Sequence, residues 1–193
     1  GEILVNGRPI REQKQYSAFM PQKDLLFPWR TIEKNICLPM ELAGVPAAEQ
    51  AKRCKEVLAQ VGLSEYMKKY PKDLSGGMKQ RVAIARALAN QPEVLLMDEP
   101  FGALDPHTKS MMQLLMREIW EQDHPTVVFI THDIDEAVFL ANKIYVMSAR
   151  PGKVVKEVNV YLTHKRGLEL KDTPEFIKLR KDINELLYAH SND

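Results

Sequence analysis

Short apolar runs and segments of helical periodicity divide the chain. Ile3-Leu4-Val5 followed by Asn6-Gly7 and Arg8-Pro9-Ile10 predicts a short strand and a tight turn, since Asn-Gly tolerates the positive φ of hairpin turns. A second strand is expected at Tyr16 to Met20, broken by Pro21. From Thr31 to about Tyr70 the pattern turns helical, with Cys54, Val57, Leu58 and Val61 on one apolar face. Gly44-Val45-Pro46 separates helices there, and Gly62 closes the longer one. A further helix runs from Ser75 to Ala89, with Met78, Val82, Ala85 and Leu88 on one side. Val94-Leu95-Leu96-Met97 and Thr126 to Ile130 do not alternate with polar residues, which predicts strands buried on both faces of a mainly parallel sheet. Helices are expected at Thr108 to Glu121, Asp135 to Ala141 and Pro174 to Tyr188, and strands at Ile144 to Met147 and Val154 to Val158. The fold class is therefore α/β, with Thr108 to Glu121 as a strand-helix-strand crossover.

Composition narrows the function classes. Lys and Arg number 27 against 26 Asp and Glu, a balance that offers no overall basic field for nucleic acid and leaves room only for local patches. Cys37 and Cys54 have neither a CxxC spacing nor a nearby His, and read as buried thiols of a reducing compartment. No apolar stretch reaches the roughly 18 residues of a spanning helix. No signal peptide is visible at Gly1 to Val5, and the missing initiator Met suggests a chain that starts inside a longer protein.

The chemistry concentrates at Leu74-Ser75-Gly76-Gly77-Met78-Lys79-Gln80-Arg81. Ser75 is a natural N-cap, and the two glycines leave the first-turn amides uncovered. Such a helix start presents free N–H groups and a positive dipole end, suited to a nucleotide phosphate. Taken alone, Ser-Gly-Gly reads more readily as an ordinary capped helix with a flexible entry. The whole string, however, resembles the signature sequence of the ABC ATPases nearly letter for letter. Further downstream, Asp98 at the tip of an apolar run is expensive to bury unless something positive meets it. The segment looks like a Walker B strand, where that partner is Mg²⁺, with Glu99 next in line as general base.

Three more segments continue the resemblance in the family's order. Met20-Pro21-Gln22 resembles the Q-loop, whose glutamine reaches the metal and the attacking water. Gly102-Ala103-Leu104-Asp105 resembles the D-loop, which crosses the dimer interface, and Thr131-His132-Asp133 resembles the switch histidine, which contacts the γ-phosphate. The resemblance thus implies catalytic Glu99, His132 and Gln22, nucleotide contacts at Ser75, Gly76, Gly77, Gln80 and Asp105, and a metal held by Asp98 and Gln22. His107, His124, His164 and His190 receive no role. Implied cofactors are ATP and Mg²⁺. Implied partners are a second ATPase subunit, transmembrane permease subunits and, indirectly, a solute-binding protein, with the chain peripheral on the cytoplasmic face of the membrane.

The family resemblance also implies a domain plan: an ATPase core at 1–22 and 88–163, a Q-loop and helical subdomain at 23–87, and a tail at 164–193. Leu26-Phe27-Pro28-Trp29-Arg30-Thr31, Arg150-Pro151-Gly152-Lys153-Val154-Val155 and Pro174 to Arg180 resemble the importer branch serving nitrate, sulfonate, taurine and bicarbonate. The phosphate loop G-x-x-x-x-G-K-[ST] is not found in residues 1–193. Family order places it upstream of Gly1, so the P-loop NTPase-like fold is expected to be N-terminally truncated and these residues alone to hydrolyse little ATP. A fragment of a complete ATPase and a naturally shortened regulatory paralogue both fit that gap. A DNA-maintenance ATPase head shares the signature, but no sustained heptads separate Gln22 from Leu74.

Overall fold

The computed structural model describes residues 1–5, 7–12, 16–149, 151–162 and 167–189, with no side-chain description for Asp123 and Ala189. Asn6 of the expected turn, Arg150 of the expected hairpin, His164 and His190 lie outside the described residues. The chain divides into two compact units, one of residues 1–104 and 123–128, the other of residues 105–122 and 129–193.

In the first unit, β1 (Leu4–Val5) and β2 (Arg8–Pro9) pair antiparallel around Gly7, whose φ of 73° is the left-handed conformation glycine adopts without strain. β3 (Ser17–Met20) runs parallel to β4 (Val94–Asp98), with Ser17 opposite Val94 and Met20 opposite Met97. β5 (Thr126–Ile130) completes the three-stranded order β3-β4-β5. Leu95 and Met97 of β4 are buried, whereas β5 departs from expectation: Val128 is 49% and Ile130 56% exposed. Side chains of a strand point to the two faces of its sheet, and at Val128 and Ile130 the described residues leave the face uncovered.

Three helices complete this unit. Thr31 caps α1 (Ile32–Leu42) by accepting from Lys34 N, Pro46 precedes α2 (Ala47–Gln60), and Ser75 caps α3 (Gly76–Leu88). The face predicted for α2 is the one that packs, with Cys54, Val57, Leu58 and Val61 all 1% exposed or less. Ile32, Ile36, Val82, Ile84 and Ala85 meet the same standard, and each fully buried Ile, Leu or Val contributes about 1.5–3 kcal/mol. Cys37 and Cys54 are buried and reduced. A hydrogen bond between the two thiols holds Cys37 below the usual thiol range and pushes Cys54 above it, with burial adding to the rise at Cys54.

The loop between β3 and α1 is anchored from below. Asn35, fully buried, accepts from Phe27 N at 2.7 Å and donates to the carbonyls of Phe27, Arg30 and Thr31. Arg86 of α3 donates to the carbonyls of Asp24 at 2.6 Å and Leu25 at 2.9 Å. These bonds hold Leu25 at a φ of 44°, which a bulky residue adopts only under constraint.

The second unit contains most of α4 (Pro106–Asp123), then α5 (Ile134–Leu140), the antiparallel pair β6 (Lys143–Met147) and β7 (Val154–Asn159), and α6 (Pro174–Ala189). Along β6, Ile144 and Val146 face inward while Tyr145 and Met147 face out, the period of two that a half-buried sheet requires. The inward pair joins Val138, Phe139, Val160, Phe176 and Ile183 in one core.

Candidate functional site

The parallel register that sets Met20 opposite Met97 brings the ends of β3 and β4 out at one edge of the sheet. Gln22 follows the first strand and Asp98 and Glu99 close the second. Gln22 Nε2 donates to Glu99 Oε2 at 3.0 Å, joining two predicted residues 77 positions apart. Glu99 carries a φ of 43°, a left-handed conformation that costs a non-glycine residue about 1 kcal/mol or more. The turn is closed by Gly102 N donating to Glu99 O at 3.2 Å. Strain of this kind persists where surroundings impose it and is concentrated at functional positions.

At the start of α3, Ser75 adopts the extended φ and ψ of an N-cap, −68° and 166°, and its hydroxyl accepts from Met78 N at 3.3 Å. Lys79 N then closes the first helical bond to Ser75 O at 2.9 Å. Ser75 and Gly76 are exposed. A Cβ added to Gly76 would meet nothing within 4 Å, and its φ is not positive. Neither packing nor backbone conformation therefore asks for glycine there. Gln80 behaves otherwise: 6% exposed, it turns inward and donates to the carbonyl of Pro100, tying α3 to the turn that follows Glu99. Any influence of Gln80 on a bound nucleotide passes through that contact.

Asp105 and His132 belong to the second unit. Asp105 starts α4, accepting from Thr108 N at 3.0 Å, and hydrogen bonds from Thr108 hold its carboxyl below the usual range. His132 is exposed in the loop between β5 and α5. The residues on either side of it are fastened: Asp133 N donates to Thr131 Oγ1 at 3.0 Å, Thr131 Oγ1 donates to Glu136 Oε2 at 2.6 Å, and Asp133 caps α5 by accepting from Glu136 N at 3.2 Å. Lys109 of α4 meets both Asp133 Oδ2 at 3.1 Å and Glu136 Oε1 at 3.2 Å. Sequence reasoning missed Lys109 and Glu136. The only signal was spacing, Lys109 one helical turn beyond Asp105 and Glu136 four residues beyond His132.

Among the described residues no three His, Cys, Asp or Glu side chains gather into a metal cage. The strand ends nonetheless offer oxygen donors alone, the Asp98 carboxylate and the Gln22 amide oxygen. That set suits a hard cation such as Mg²⁺, which keeps several waters and leans on substrate phosphates for the rest of its shell.

A family model described as "ABC transporter" matches residues 1–102, which include the Gln22–Glu99 pair and the Ser75 helix start. An aliphatic sulfonates import ATP-binding protein of Bacillus cereus is 44% identical over 183 residues, covering 95% of this chain and 70% of that protein. A taurine import ATP-binding protein of Rhizobium johnstonii is 42% identical over 194 residues, covering 98% and 74%. An uncharacterized ABC transporter ATP-binding protein of Methanocaldococcus jannaschii is 41% identical over 187 residues, covering 97% and 69%.

Proposed function

Because this chain belongs to the ABC transporter family, as a transport-coupled ATPase, we propose that it is the nucleotide-binding subunit of an importer for small sulfonate-type anions. The observation that carries the catalytic part is the hydrogen bond from Gln22 to Glu99 at 3.0 Å, which holds the Glu99 carboxylate at the strand ends. Glu99 is the general base, taking a proton from the water that attacks the γ-phosphate of ATP. Gln22 orients Glu99 and leads into a loop, Lys23 to Arg30, whose exposed Leu25 and Trp29 face the permease. Bound Mg²⁺ would neutralise phosphate charge, with Asp98 and Gln22 supplying protein oxygens.

Ser75, Gly76 and Gly77 offer amides to a nucleotide held by the second subunit, Asp105 crosses toward that subunit, and His132 touches the γ-phosphate. ATP thereby acts as the link between two subunits, and closing the pair drives the permease. Residues 23–87 serve as the helical subdomain and 1–22 with 88–163 as the core. No helix among the described residues is long and apolar enough to cross a membrane. The sulfonate assignment rests on the two relatives named for aliphatic sulfonates and taurine.

The test is Glu99→Gln in the ATP-hydrolysing importer complex. Removing a general base lowers kcat by about 100-fold or more while nucleotide binding stays. Turnover near the parental rate defeats the assignment of Glu99. For the solute, the complex in liposomes should take up taurine or an alkanesulfonate on addition of ATP, and uptake of neither defeats that assignment.

A further inference from the structure

Two charged side chains without a part in the mechanism above converge on the loop that carries His132. Glu136 is 2% exposed, a burial that a carboxylate tolerates only when paired. Its partners are Lys109 Nζ at 3.2 Å on one oxygen and the Thr131 hydroxyl at 2.6 Å on the other. Lys109 also reaches Asp133 Oδ2 at 3.1 Å. Among the described residues the charged groups here are one cation and two anions, with Asp135 turned to Arg180 of α6 at 3.6 Å. Thr131 and Asp133 flank His132, so both shoulders of the histidine are bound to this cluster. At its other end, Lys109 N closes the first turn of α4 by donating to Asp105 O at 2.9 Å. One lysine therefore joins the segment that starts at Asp105 to the loop that presents His132.

We propose that Lys109 and Glu136 are positioning residues for His132, transmitting the placement of Asp105 at the start of α4 to the histidine. The proposal rests on the reading of His132 as the γ-phosphate contact. A lysine suits the task because its compact ammonium can satisfy two carboxylates at once. Removing it leaves Glu136 buried beside Asp133 with no cation between them, which loosens both shoulders of His132 without touching the histidine itself.

The experiment is amide hydrogen exchange on the full chain carrying Lys109→Met, Lys109→Arg or Glu136→Gln. The Asp133 and Glu136 amides, which donate to Thr131 Oγ1 and Asp133 Oδ1, should exchange about tenfold faster in K109M, as loss of a charged hydrogen bond implies. K109R should restore slow exchange, and amides of α1 to α3 should not change. Unchanged exchange at Asp133 and Glu136 overturns the proposal. Should K109M fail to fold, E136Q keeps the shape and removes one charge, and equal exchange in that variant overturns it as well. In the ATP-hydrolysing importer complex, K109M should lower kcat several-fold at constant KM and K109R should recover it, whereas a change in KM alone counts against positioning. A His132→Ala complex that hydrolyses at the parental rate overturns the reading of His132, and that result is separate from the exchange measurement.

Discussion

Replacing Asn35 by alanine tests the packing that supports the proposed permease-facing loop. From a fully buried position the side chain accepts one hydrogen bond at 2.7 Å, and the two protons of its Nδ2 are shared among three carbonyls at 3.0 to 3.1 Å. Their losses are unequal. The Phe27 carbonyl still receives Arg30 N at 3.1 Å, and the Thr31 carbonyl still receives the backbone N of residue 35 at 2.9 Å. The Phe27 N–H loses its acceptor, however, and at this part-buried position an orphan donor costs about 1–3 kcal/mol. With about 1 kcal/mol more for the Arg30 carbonyl, the expected loss is about 3 kcal/mol. In a chain of this size that lowers Tm by about 6–12 °C. Because the lost bonds are local, Phe27 amide protection should fall by about a hundredfold.

Asn35→Asp sharpens the test. Its carboxylate can still accept from Phe27 N, but the second oxygen then faces the carbonyls of Phe27, Arg30 and Thr31 with no proton to offer. N35D should therefore be less stable than N35A at neutral pH, and acidification that protonates the carboxyl should narrow the gap. Scanning calorimetry and amide exchange on the chain measure both effects. A Tm for N35A within about 2 °C of the parent with unchanged Phe27 protection, or N35D more stable than N35A, refutes the accounting. In the importer, the loosened loop should raise ATP hydrolysed per solute carried, since Lys23 to Arg30 no longer holds one conformation.

Residues 1–193 purified alone should release phosphate from ATP no faster than their own E99Q variant, and robust turnover in a coupled phosphate assay would contradict this. Gly76→Val should change folding stability by less than about 1 kcal/mol, because open space surrounds it, yet it should block nucleotide-driven closure of the ATPase pair; intact closure by light scattering refutes the reading of Gly76 as a nucleotide contact. Stability should also bracket the Lys109 cluster in pH. Burial opposes the charge on Asp133, but the hydrogen bond from Lys109 and the Glu136 amide together hold its carboxyl below the usual range, so that contribution is present above about pH 4 and lost as pH falls through the folded value. Burial likewise opposes the charge on Lys109, while its bonds to Asp133 and Glu136 raise it; that contribution is present below about pH 10.4 and lost as pH rises beyond the folded value. Melting curves across pH should therefore fall at both edges in the parent and more shallowly in K109M.

What could be read in advance was whatever has a local cause. Ser75 is a cap because its hydroxyl lies within reach of an amide three residues on, and α3 begins where that chemistry places it. The α2 face repeats at helical spacing, and all four residues on it are buried. Gly44 and Gly62 end helices at φ values of 73° and 68°, as their type suggests. Gln22 and Glu99 were named separately from motif likeness, and the strand register supplies the physical reason that they meet.

The failures share a different cause, since they concern partners that no local pattern can specify. The apolar run Thr126 to Ile130 looked like a strand covered on both faces, yet hydrophobicity along a strand says what the strand would tolerate and not what lies against it. Gln80 sat in a motif that the family resemblance turns toward nucleotide, but it lies in the second turn of α3, and its bond to the Pro100 carbonyl turns it inward. Asn35 and Arg86 are ordinary polar residues in sequence, 8 and 61 positions from Phe27 and Leu25, the backbone groups they satisfy. Lys109 shows the rule most plainly. A lysine in the first turn of a helix reads as solvated and electrostatically misplaced, being a cation at the positive end of the dipole. Only the arrival of Asp133 and Glu136 from 24 and 27 residues away makes it the right residue, because two carboxylates there need one cation more than the helix needs to avoid it.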